Sequence, residues 1–191
     1  MTHDNTVETT VENMVEDDTT HTPTVDYRAT KKDMVTEFHR VFGHPVGEVT
    51  SLSAEVIDSN TLYSRLKYIM EEFCELVEAV TGSTAAADSI MSAFVTNVDV
   101  ADDSPRDLVG SVDALCDMMY FMYGMAVMCD IPLDECFARV HESNMSKLFP
   151  DGTAHYDPDN GNKVIKGPNF VTPEANIAQE IENYKKSTGQ V

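Results

Sequence analysis

The stretch Leu108-Val-Gly-Ser-Val-Asp113-Ala-Leu-Cys-Asp117-Met-Met-Tyr-Phe-Met-Tyr-Gly-Met-Ala-Val-Met-Cys129 sets the architecture. From Met118 onward it leaves almost no polar face around a helix axis, and a helix apolar all round is one that a protein buries. The uncharged run Met118–Cys129 falls short of the roughly 18 residues of a membrane span, so it reads as a core helix. Its apolar surface exceeds what a four-helix monomer easily covers, which suggests packing between subunits.

The segments on either side repeat the helical period. Upstream, Leu62, Leu66, Ile69, Phe73, Leu76, Val77 and Val80 form the stripe of a helix over 61–80, with Gly82 where a C-cap belongs. Met34, Val35, Phe38, Val41 and Phe42 predict a shorter helix that stops at Gly43-His44-Pro45. A short helix is expected over 85–95, then an acidic, Pro-containing connection over 99–107. Downstream, Asp130-Ile131-Pro132 predicts a helix start with Asp130 as N-cap, running to about Lys147. Asp151-Gly152 and Asp157-Pro158-Asp159-Asn160-Gly161 are turn signals with a small hairpin or ordered loop between them, and a last helix is expected over 173–185. The fold class is all-α: a helical bundle with a small C-terminal loop or hairpin.

Composition narrows the partners. The 191 residues carry 33 acidic and 13 basic side chains, a formal charge of −20. Such a chain is expected to bind neither a nucleic-acid backbone, which needs Lys and Arg to displace counterions, nor a membrane. Free nucleotides stay open, since carboxylates hold them through bridging Mg²⁺. Residues 1–27 contain seven acidic residues, no Lys or Arg, and eight threonines between Thr2 and Thr24. That composition predicts a disordered acidic tail ahead of one folded domain over 28–191. No basic or apolar secretory leader is read there. Cys74, Cys116, Cys129 and Cys136 lack metal-type spacing and are expected to be buried free thiols in a reducing cytoplasm.

The chemistry is expected on two helices. In Glu71-Glu72-Phe-Cys-Glu75-Leu-Val-Glu78, Glu71 and Glu78 lie opposite the apolar stripe, while Glu72 and Glu75 are one turn apart at its flank. On the apolar helix, Asp113 and Asp117 share one side, and only Arg106 stands between Lys67 and Arg139 as a basic residue. Burying two carboxylates without partners would cost several kcal/mol each. A hard divalent cation shared with Glu72 and Glu75 would remove that cost, because Mg²⁺ takes carboxylate oxygens and keeps waters and substrate phosphates as its other ligands.

These motifs, followed by His141-Glu142-Ser143-Asn144-Met145-Ser146-Lys147, resemble the MazG-like all-α nucleoside triphosphate pyrophosphohydrolases, in particular the phage-type branch related to phosphoribosyl-ATP pyrophosphohydrolase. The opening Met34–Gly43 and the closing Asn162-Lys163-Val-Ile-Lys166-Gly167-Pro168-Asn169-Phe170 resemble that branch as well. The resemblance implies that Glu72 and Glu75 are ligands of an E-x-x-E motif and that Asp117 is the aspartate of a second, E-x-x-D, motif. Ala114 stands where that motif has Glu, and Asp113, on the same side, is expected to replace it. The segment from Gly82 to Arg106 reads as an insertion relative to minimal members.

The expected reaction is Mg²⁺-dependent hydrolysis of a (deoxy)nucleoside triphosphate, with Mn²⁺ as a substitute, to the monophosphate and pyrophosphate. Glu72 and Glu75 are the expected catalytic carboxylates, and Glu72, Glu75, Asp113 and Asp117 the metal ligands. Asn144, Lys147, Lys163 and Lys166 are candidate phosphate or base contacts. His141 reads either as a substrate contact or as a cation at its helix end, and His39 and His44 as structural. The resemblance implies a homodimer or homotetramer, with sites completed across the interface, in the cytoplasm (the host's, for a phage-encoded chain). Candidate substrates include dUTP, dCTP and dGTP in a modified-purine pathway. The rival class is a non-enzymatic acidic protein that mimics DNA.

Overall fold

Among the described residues six α-helices and one short strand pair follow one another, and side-chain caps explain where the first four helices begin. The structure, a computed structural model, describes residues 30–47, 57–103, 105–160 and 163–190. The expected tail over 1–27 lies outside the described residues. Helix α1 (Lys31–Val41) opens on a capping box in which the Thr30 hydroxyl accepts from the Asp33 amide and the Asp33 carboxylate accepts from the Thr30 amide. Helices α2 (Ser59–Thr81), α3 (Thr84–Asn97) and α4 (Leu108–Cys129) are N-capped by Asp58, Ser83 and Asp107. Gly82 closes α2 at φ 68°, a left-handed conformation that glycine adopts without a side-chain penalty.

Asp130 does not open the next helix. It closes α4 at φ 52°, its amide donating to the Ala126 and Val127 carbonyls, and α5 begins at Leu133 and runs to Met145. Aspartate tolerates the left-handed region better than most residues, so a side chain suited to an N-cap serves here as a C-cap. Beyond α5, β1 (Tyr156–Asp157) and β2 (Lys163–Val164) pair antiparallel, and α6 spans Glu174–Thr188.

The described residues divide into two compact units. The first joins α1 to the chain from Asp134 onward. Its interior holds Met34, Phe42, Cys136, Ala138, His141, Ser143 and Met145, with Phe42 fully buried. The Tyr156 hydroxyl donates to the Phe42 carbonyl and so ties the strand pair to the end of α1. Arg139 holds Glu142 at 2.7 Å and, from α5 across to α6, Glu180 at 3.2 Å. Gly167 is pressed against the end of α5: its amide donates to the Lys147 carbonyl at 2.9 Å.

The second unit runs from Pro45 to Leu133. Within it α2 and α3 are the extensively packed pair, with Tyr63 stacked on Phe94 at 5.9 Å and Cys74 buried. Helix α4 packs extensively on neither, and Ala126 is its one buried residue. Val109, Tyr120, Phe121, Val127 and Met128 are each between 73 and 80% exposed. The expectation of a buried α4 therefore fails: within its own unit, neither α2 nor α3 covers it. Cys116 and Cys129 are exposed on this helix, against the expectation of four buried thiols; all four cysteines are free.

A Cβ on Gly167 would stand 2.4 Å from the Leu148 carbonyl oxygen and 3.0 Å from that of Lys147. Gly167→Ala is expected to cost about 1–3 kcal/mol, read as a fall in denaturant midpoint at unchanged slope. An unchanged midpoint would show that this close approach is not a constraint.

Candidate functional site

The four glutamates of α2 separate into two kinds. Glu71 pairs with Lys67 one turn earlier at 3.5 Å, and Glu78 accepts from the Thr84 hydroxyl at 2.6 Å, bracing the turn into α3. Those contacts serve local structure. Glu72 and Glu75 stand exposed on the other flank, and Glu75 meets no donor or cation among the described residues. Helix α3 leans on the side of α2 carrying Tyr63 and Cys74, which leaves the Glu72 flank open.

Asp113 and Asp117 lie one turn apart in the first half of α4, as their spacing predicts, but they are exposed, not buried. Neither meets a cation or hydrogen-bond donor among the described residues. Arg106, the basic residue nearest them in sequence, is committed elsewhere. Its guanidinium donates to the Ile57 carbonyl at 2.7 Å and to the Ser59 hydroxyl at 2.8 Å. That clasp fixes the approach to α4 beside the start of α2.

The expected acidic site between α2 and α4 is thus not assembled in one chain. Among the described residues no three His, Cys, Asp or Glu side chains are gathered as a metal would require. Within a single chain the four carboxylates do not fit a divalent ion.

In the other unit, Asn144 and Lys147 are brought together at the end of α5, the Lys147 ammonium donating to the Asn144 side-chain oxygen at 2.6 Å. Lys166 precedes Gly167, which docks on the Lys147 carbonyl, and its ammonium sits 4.5 Å from the centre of the Phe170 ring. Lys163 lies exposed in β2, opposite Asp157. Two serines that the residue pattern did not single out hold this segment. Ser143 donates to the Val171 carbonyl at 2.8 Å, and the Val171 amide donates to Ser146 at 3.0 Å. Their spacing of three, at the end of α5 and one residue beyond it, was the available signal.

His39, His44 and His141 are structural. His141 is buried with Nε2 3.1 Å from Glu37 Oε2, bridging α5 to α1, so it is not positioned at an open helix end. His39 and His44 pack their rings together at 5.4 Å beside Phe38.

The succession of helices is the all-α fold of the nucleoside triphosphate pyrophosphohydrolases. The profile of the phosphoribosyl-ATP pyrophosphohydrolase family matches residues 35–144, and the chain belongs to that family. The match contains all four carboxylates and ends at Asn144, so Lys147, Lys163 and Lys166 fall outside it. An uncharacterised protein of Acanthamoeba polyphaga mimivirus is 32% identical, with 82% of this chain and 86% of that protein covered. The fold is also similar to a crystal structure from Exiguobacterium sp. 255-15 that carries the provisional description NTP pyrophosphohydrolase. The TM-score is 0.60 at 23% identity, over 84% of this chain and 98% of that one.

Ser143→Ala would leave the Val171 carbonyl without its shorter hydroxyl donor and is expected to cost about 1 kcal/mol. The check is hydrogen exchange at the Val171 amide, which should quicken along with the small loss of stability; unaltered exchange would contradict the clasp.

Proposed function

We propose that the protein hydrolyses a (deoxy)nucleoside triphosphate to the monophosphate and pyrophosphate. The observation that carries this reading is the family match over residues 35–144, which takes in Glu72, Glu75, Asp113 and Asp117 in order on two helices. Water adds at the α–β phosphoanhydride, whose bridging P–O bond breaks, and Glu72 or Glu75 orients that water and takes its proton. The triphosphate brings several negative charges to a chain already at −20, so the reading includes a divalent cation, Mg²⁺ with Mn²⁺ as substitute, as countercharge. Asn144, Lys147, Lys163 and Lys166 are proposed as donors to phosphate or base; a guanidinium-poor surface leaves ammonium and amide groups for that role.

The proposed setting is nucleotide-pool control in the cytoplasm. Purine deoxynucleotides, dGTP among them, belong to the same reading as dUTP and dCTP, and a substrate panel separates them. We also propose a homodimer or homotetramer, since α4 leaves large apolar side chains open to water, each worth about 1.5–3 kcal/mol if covered.

Pyrophosphate release from a panel of dNTPs, with and without Mg²⁺, tests the reading. Glu72→Ala and Asp117→Ala are each expected to lower kcat/KM by about 10²–10⁴-fold, and Lys147→Met to raise KM more than it lowers kcat. No turnover on any nucleotide, or turnover indifferent to both carboxylate substitutions, would overturn it.

A further inference from the structure

The segment between α5 and the strand pair carries an aromatic stack to which the reaction above gives no role. Phe149 and His155 lie ring on ring, with centroids 3.8 Å apart and planes 19° from parallel. Phe149 is half-buried and His155 is exposed. One face of the imidazole rests on Phe149, and no second ring covers the other among the described residues. The ring is held at its edge as well. A carboxylate only accepts, so the Thr153 hydroxyl donates to Asp151 Oδ1 at 2.7 Å and accepts from His155 Nε2–H at 3.0 Å. The Thr153 hydroxyl and amide hold the Asp151 carboxyl below its ordinary pKa, which keeps it ionised. An imidazole fixed on one face and one edge has its orientation set before any ligand arrives.

Backbone pairing brings this platform close to two of the proposed phosphate donors, all within the first unit. The Ile165 amide donates to the His155 carbonyl at 2.8 Å, and two residues later the Gly167 amide donates to the Lys147 carbonyl at 2.9 Å. Two residues of extended chain cover roughly 7 Å, and Lys166 stands between those two anchor points. One end of this strip is aromatic and the other is cationic. The Asp151 charge beside the imidazole repels phosphate from the aromatic end, which gives the strip a direction.

We propose that the open face of His155, backed by Phe149, is the platform on which the substrate's nucleobase stacks, its phosphates turned toward Lys147 and Lys166. This rests on the hydrolase reading above for the ligand being a nucleotide, and adds which residues hold its base. Every nucleobase has a π-face, so the stack raises affinity for all of them. Purines gain more than pyrimidines, because two fused rings overlap more of the imidazole than one.

Isothermal titration of the full chain in Mg²⁺ tests this, with non-hydrolysable analogues of dGTP and dCTP and with inorganic tripolyphosphate as ligands. His155→Ala should weaken both nucleotide analogues by roughly 5–150-fold, the dGTP analogue more, and leave tripolyphosphate unchanged. His155→Phe keeps a ring but cannot bond Thr153, and it should restore most of the nucleotide affinity. Lys147→Met should weaken all three ligands. In the wild type, the His155 ring protons should move upfield in NMR spectra when either analogue is added, and stay in place with tripolyphosphate. Nucleotide affinities indifferent to His155→Ala would overturn the proposal. So would an equal loss for tripolyphosphate, which would make His155 a phosphate contact, or an equal loss in His155→Phe, which would make the hydrogen bond the determinant. Analogue binding that depends on His155 in a chain that turns over no nucleotide would support the platform and overturn only the hydrolase reading. Turnover of nucleotides with a KM indifferent to His155→Ala would do the reverse.

Discussion

Everything in the second unit turns on a helix that its own chain cannot cover. Helix α4 combines a continuous apolar surface with two carboxylates on one face, and each half of that combination is costly alone. Apolar side chains in water forgo the burial that drives folding, and carboxylates in a dry interior forgo hydration. The two costs are removed together only if the helix is packed on its apolar side and charge-balanced on the other. In the single chain neither condition is met: Ala126 alone is buried, and Asp113 and Asp117 face no cation among the described residues. The placement of Arg106 sharpens this, because the basic residue nearest in sequence is spent on the start of α2.

The first unit solves its packing internally. Phe42 is fully enclosed, and His141 is bridged to Glu37. Ser143 and Ser146 hold the segment carrying Lys166 and Gly167 onto α5. The proposed phosphate donors therefore sit on a backbone that is already fixed before any ligand arrives, which reduces the ordering cost of binding.

Helix positions were legible in the amino-acid order because caps and periodicity act locally. Gly82, Asp107 and the 108–129 run are read almost to the residue. Asp130 misled because aspartate suits both an N-cap and a left-handed C-cap, and only the backbone path toward Pro132 chooses between them. The sorting of Glu71 and Glu78 from Glu72 and Glu75 was also legible, since it follows from angle around one helix. What was not legible is how far apart two correctly read helices lie. Periodicity says that α4 must be covered, not by which chain, and the burial expected of Asp113 and Asp117 failed for that reason. Ser143 escaped notice because a serine that holds a backbone carbonyl looks, in the amino-acid order, like any serine on a helix.

The net charge of −20 gains a meaning from this arrangement. Glu72, Glu75, Asp113 and Asp117 account for four of those charges, and like charges brought together repel unless a cation sits among them. Gathering these four side chains and binding a cation would then be linked, each favouring the other. The most direct measurement is an anomalous-scattering map of crystals grown with Mn²⁺ and a non-hydrolysable dNTP. The expected result is a manganese peak bounded by Glu72, Glu75, Asp113 and Asp117, with the triphosphate beside it. A peak bound by none of the four, or no peak at all, would contradict it.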